Sequence, residues 1–139
     1  AATLFHANFG FGLNASPSLP DRLFIIHKGE IPQRGDYVAF RWQGGGPYPA
    51  GVTFVKIVAG MAGDTVTRVD RDFYVNGVHV GKAKTVSRMD QPLELGPVGV
   101  LPPGRYYVRA PHPDSLDSRY RLTGWISEDQ IIGRAYALF

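Results

Sequence analysis

The feature that most constrains this chain is its period. Apolar and β-branched residues recur at every second position in short runs, and each run ends in a Gly- or Pro-rich turn. Arg22–Lys28, Asp36–Trp42, Val52–Ala59, Asp64–Val69 and Arg105–Arg109 read as strands. Phe73–Val75 and Val78–Val80 flank Asn76-Gly77, a pair suited to a type I′ hairpin turn, which needs φ > 0 twice. Turn signals also stand at Gly29-Glu30, Gln33 to Gly35, Gly44 to Pro47, Gly60 to Gly63 and Pro102 to Gly104. Ser127 to Gln130 reads as a capping box for a one-turn helix before a last strand, Ile132–Leu138. The Gly-rich stretch 44–51 reads as a mobile loop and not a linker, because the same patterning resumes after it. The expectation is one all-β domain over residues 1–139, built of coiled or barrel-like sheets with at most one or two short helices.

Composition removes several function classes. The 139 residues contain no Cys, which excludes disulfide frameworks, thiolate metal sites and Cys nucleophiles. His6, His27, His79 and His112 show no ligand spacing, so no metal and no cofactor is expected. The net charge is +3 and the isoelectric point is near 9.3, but the Arg residues are scattered with no run of three. Nucleic acid is therefore not an expected partner. No apolar run approaches the roughly 18–20 residues that cross a bilayer.

Three places carry residues suited to chemistry. Lys56 stands in Val52–Val58, whose two faces are both largely apolar. Burial there disfavours the ammonium and can turn Lys into a general base, whereas a snorkelling strand-end Lys would stay charged. Ser18 lies between Pro17 and Pro20 in a stretch the prolines stiffen, which suits a nucleophile and equally a plain turn. Pro111 to Arg119 packs a His, two carboxylates, two hydroxyls and an Arg together. A Ser18–His112–Asp117 triad is one arrangement of these groups, strained by the five-residue spacing of His112 and Asp117.

Taken in order, Ser18-Leu19-Pro20, Gly35 to Val38, Val55 to Gly60 with Gly63 to Val66, Asp114 to Arg119 and Ile132 to Ala135 resemble the boxes of the type I signal peptidase family. The resemblance spans residues 13 to 136. Within that family the chain looks most like the conjugative-transfer (TraF-like) branch, through Asn14, Ser16, Ser18 and Pro20, Leu101 to Gly104, and Pro111 to Ser115. It implies coiled antiparallel sheets of the signal-peptidase type and a serine endopeptidase with Ser18 as nucleophile and Lys56 as general base. The Ser18 N–H and the Ser16 hydroxyl would form the oxyanion hole. Ser115 would hydrogen-bond the Lys56 amine, and Asp117 and Arg119 would brace the loop beneath it. The family places a Gly within about three residues of that Arg; here Tyr120 to Thr123 precede Gly124.

The resemblance further implies a peptide substrate, a conjugative prepilin, possible cyclisation of the pilin, and work at the periplasmic face of the inner membrane. The family's N-terminal membrane anchor is not in this sequence; Leu4, Phe5, Phe9, Phe11 and Leu13 would follow it, at the lipid surface or in an edge strand. Substrate would bind extended between Leu13–Ser18 and the Thr53, Phe54, Val55 stretch before Lys56. The rival readings are a self-cleaving repressor-type Ser/Lys domain and a catalytically silent all-β binding module.

Overall fold

The computed structural model describes residues 9–13, 23–110, 112 and 114–138, and within these the chain is built from eleven antiparallel strands. They are β1 (Phe9–Leu13), β2 (Leu23–Lys28), β3 (Tyr37–Arg41), β4 (Thr53–Gly60), β5 (Thr65–Val69), β6 (Asp72–Val75), β7 (Val78–Lys82), β8 (Gly99–Val100), β9 (Arg105–Arg109), β10 (Ile126–Ser127) and β11 (Ile131–Ala137). One sheet has seven strands in the order β1-β2-β11-β3-β4-β9-β10, and a second has four in the order β7-β6-β5-β8. The expected all-β antiparallel architecture is thus observed. The only helix among the described residues is the 3-10 turn Glu128–Gln130, where Gln130 Oε1 accepts the Ser127 N–H at 3.0 Å.

Alternation explains why the large sheet sits in the middle. Val38, Phe40, Phe54, Val58, Tyr106 and Val108 share one face and form a core with Trp42 and Ile126. Ala39 and Val55 face the other way and pack with Phe24, Ile26 and Ala135. A sheet that is apolar on both faces must be covered on both, which gives its strands near-continuous hydrophobic runs. The small sheet builds a third core from Val66, Phe73, Val75 and Val80, closed by Tyr107 of β9 and Tyr120.

The two sheets are joined where β4 ends. Asp64, 4% exposed, accepts two bonds from Arg34 at 2.6 and 2.7 Å, one from the Met61 N–H at 2.9 Å and one from Asn76 at 3.1 Å. This one carboxylate ties the turn before β3 to the β6–β7 hairpin. That hairpin turns through Asn76 at φ 49° and Gly77 at φ 81°, with Val75 paired to Val78, as the Asn-Gly signal predicts.

Strand boundaries fall within about two residues of the sequence reading, except where the strands are too short to show a period. The two-residue strands β8 and β10 were not anticipated. The segment Phe9–Leu13 pairs with β2 as an edge strand, which is one of its two expected roles. The Gly-rich stretch is not loose: Trp42 Nε1 donates to Gly45 O at 3.0 Å, Gln43 Nε2 to Leu122 O at 3.0 Å, and Gly45 bridges Tyr48.

Candidate active site

β4 carries the central residue. Lys56 is fully buried, opposite Val38 of β3. On its other side Ile57 pairs with Arg109 and Val58 with Val108, so the same register places Ala110 across from Lys56. Its Nζ lies 5.3 Å from the centre of the Phe54 ring. Burial among these apolar neighbours is the largest influence on the amine and lowers its pKa from 10.5 to about 7; the Asp117 carboxylate pulls it up and the Arg119 guanidinium pushes it down. The snorkelling alternative is therefore excluded, because no part of Lys56 reaches water.

The segment after β9 folds back so that its charges arrive at this lysine. Val108 N–H donates to Ser118 Oγ at 2.9 Å and Ser118 N–H to Val108 O at 3.0 Å, which locks residues 117–118 along the end of β9. Asp117, fully buried, accepts from the Ala110 N–H at 3.0 Å, the Arg119 N–H at 3.0 Å and Arg119 Nε at 2.8 Å. Arg119 is held in turn by the carbonyls of Lys82 at 2.8 Å and Ser115 at 3.0 Å. Asp117 and Arg119 thus form a buried pair in which most donors and lone pairs are used, the condition for keeping such a pair in place.

Two expectations need correcting. Ser115 is fully buried but its Oγ has no hydrogen-bond partner, so the bond it was expected to make to Lys56 is not formed. Its backbone is taken up instead by the turn to His112 and by Arg119. The Ser–His–Asp alternative also fails at its Asp–His link. Asp117 spends its oxygens on Arg119 and Ala110, while His112 Nδ1 accepts the Asp114 N–H at 3.1 Å.

The substrate-binding expectations divide. Phe54 is fully buried and stacks on Trp42, with ring centres 4.9 Å apart. Val55 is fully buried on the opposite face of the sheet. Neither side chain offers a surface to a peptide, but the backbone does. Trp42 N–H donates to Val52 O at 2.7 Å and Val58 N–H to Asp36 O at 2.9 Å, so the even-numbered backbone groups of β4 bond β3. Those of Thr53 and Val55 point the other way, and no described strand residue lies opposite them. Leu13 ends β1; Ser16 and Ser18 lie outside the described residues.

Sequence reasoning missed Ser118, whose hydroxyl fastens the 115–119 turn although it stood inside the box already singled out. It also missed Tyr48, which packs edge-on against Phe54 with ring centres 5.1 Å apart. Tyr48 lines a groove of about 1380 Å³ together with Leu116, Leu122 and Met89. Among the described residues no cluster of acidic and His side chains is arranged to hold a metal, and no helix is long and apolar enough to cross a membrane.

A buried lysine of lowered basicity, on a strand whose edge has no partner among the described residues, is an arrangement suited to peptide chemistry. Known proteins agree with that reading. Residues 2–139 match the family described as signal peptidase, peptidase S26. The chain is 32% identical to signal peptidase I T of Bacillus subtilis (strain 168) over 151 residues, covering 98% of this chain and 74% of that protein. It is 31% identical to signal peptidase I of Bacillus amyloliquefaciens, with the same shares covered. A solved signal peptidase I from Enterococcus faecalis V583 is 25% identical and superimposes with a TM-score of 0.48, over 76% of this chain and 97% of that one. With its whole length matched by the family and its relatives sharing close to a third of its residues, this chain belongs to the signal peptidases of family S26, which are serine peptidases.

Proposed function

We propose that the chain is an endopeptidase working through a Ser/Lys dyad, Ser18 and Lys56. The observation that carries this reading is the complete burial of Lys56, which lowers the pKa of its amine to about 7 and so leaves about half of it neutral at pH 7. A serine hydroxyl is too weak an acid to attack a carbonyl unaided, and a neutral amine can take its proton. Ser18 Oγ attacks the scissile carbonyl carbon as its proton passes to Lys56 Nζ. The oxyanion is met by the Ser18 N–H and the Ser16 hydroxyl, each such donor contributing roughly 10²–10³ in rate. Lys56 then returns the proton to the leaving amine, and an acyl-enzyme remains on Ser18. Asp117 and Arg119 set the electrostatics of the lysine from below.

The edge at Thr53 and Val55, which has no strand partner among the described residues, supports an extended substrate that adds as a strand, with Leu13 on its other side. The TraF-like residues Asn14, Ser16, Ser18 and Pro20, with the Leu101 to Gly104 and Pro111 to Ser115 stretches, point to a conjugative prepilin as substrate at the periplasmic face of the inner membrane. In that case the acyl-enzyme passes either to water or to the pilin's own amino terminus, which closes a ring. The test is incubation of the protein with prepilin, read by mass spectrometry for loss of a terminal peptide with or without the mass of one water. Ser18→Ala and Lys56→Ala should each abolish processing, and the double variant should be no worse than either. Processing retained in Lys56→Ala and lost in His112→Ala would overturn the dyad.

A further inference from the structure

Between β3 and β4 the chain reads Gly44-Gly45-Gly46-Pro47-Tyr48-Pro49-Ala50-Gly51, with one large side chain in eight positions. Gly45 and Gly46 have φ 103° and 63°, and a Cβ on either would come within 2.9 Å of the Leu122 side chain. The positive φ at both positions favours glycine, and the missing Cβ lets the strap lie against the Leu122 side chain. Pro47 and Pro49 restrict the backbone on both sides of Tyr48. The Gly45–Tyr48 bridge closes the strap on itself, and the Trp42 indole bond to Gly45 O ties it to the residue that follows β3. The strap thus delivers one aromatic ring to one place. That place is Phe54, which Tyr48 meets edge-on at 5.1 Å and an interplanar angle of 88°. Trp42 covers Phe54 from another side at 4.9 Å and Phe40 at 6.0 Å. Of these three rings Tyr48 alone lines the open groove, while Trp42 and Phe40 are buried.

We propose that Tyr48 is a positioning residue for Lys56, holding the Phe54 ring as a cover that keeps water from the amine. The proposal rests on the reading of Lys56 as the base and names a residue that acts through Phe54 and not on the substrate. The charged groups that reach Lys56 are Asp117 and Arg119 of the 115–119 turn. Apolar residues also stand beside it: Val38 of β3, Phe54 and Val58 of β4, and by register Ala110 after β9. Water admitted past Phe54 would solvate the amine and stabilise the ammonium.

The chain has four lysines, Lys28, Lys56, Lys82 and Lys84, so ¹³Cε-lysine NMR can follow Lys56 directly, with three internal controls. Tyr48→Ala should raise the Lys56 midpoint by about one pH unit, and processing at pH 7 should fall about fivefold and recover above pH 9. Tyr48→Phe keeps the ring and should leave the midpoint in place; Tyr48→Val should fall between. A merely structural role would lower activity equally at every pH with the midpoint unmoved. An unmoved midpoint in Tyr48→Ala, or in Tyr48→Val where Tyr48→Ala does not fold, overturns the proposal. A shifted midpoint alongside full processing by Lys56→Ala would uphold the positioning role and defeat the dyad, so the two failures are distinguishable.

Discussion

Replacing Lys56 by Met converts its burial into a measurable free energy. In the folded chain the amine titrates near 7, and in the unfolded chain it returns to its ordinary value of 10.5. Below pH 7 both states carry the proton, and the fold bears the whole cost of a desolvated ammonium. Between 7 and 10.5 the unfolded state binds more protons than the folded one, so stability rises with pH; above 10.5 the cost is gone. At 1.36 kcal/mol per pH unit, the cost is about 4 kcal/mol at pH 7 and about 2 kcal/mol at pH 9. Met has a similar length and no titrating group, and whatever it gains by apolar contact does not depend on pH. Urea unfolding of both proteins at pH 7 and pH 9 should therefore show the advantage of Lys56→Met shrinking by about 2 kcal/mol, because the titration of every other group cancels in the difference. An advantage that stays constant across this window, or grows, would refute a lysine held neutral by burial.

Asp117→Asn removes the anion beside Arg119 while keeping its shape; it should cost ~3–5 kcal/mol in urea unfolding and lower the Lys56 midpoint below about 7, since Asp117 favours the ammonium. Asp64→Ala should cost about 2–3 kcal/mol near neutral pH. Arg34, foremost among its partners, holds the Asp64 carboxyl well below the usual carboxylate range, so the wild-type margin should be intact above pH 4 and disappear as pH falls below the folded value. Gly77→Ala forces a Cβ onto φ 81° and should cost about 1–2 kcal/mol, read as a lowered thermal midpoint; an unchanged midpoint would remove the type I′ turn from the account.

What the sequence determined by itself was everything that depends on near neighbours. Alternation over five to eight residues is enough to make Leu23–Lys28, Tyr37–Arg41 and Thr53–Gly60 strands, and Asn76-Gly77 is enough to turn a hairpin, because both are set by backbone sterics within a few bonds. The burial of Lys56 was also legible, since a lysine flanked by Phe54, Val55, Ile57 and Val58 has apolar neighbours whichever face it occupies. Tertiary structure decided what meets that lysine. Asp117 lies 61 positions away and reaches it only because β9 pairs with β4 and the following turn is bonded back onto Val108 and Ala110. The same packing left Ser115 without its expected bond, drew Asp117 to Arg119 and away from His112, and turned Val55 toward Phe24. It set the Tyr48 ring on Phe54 through a strap whose Gly and Pro residues say only that the chain bends. Such contacts follow from the filling of shared space between strands distant in sequence, which no local period encodes.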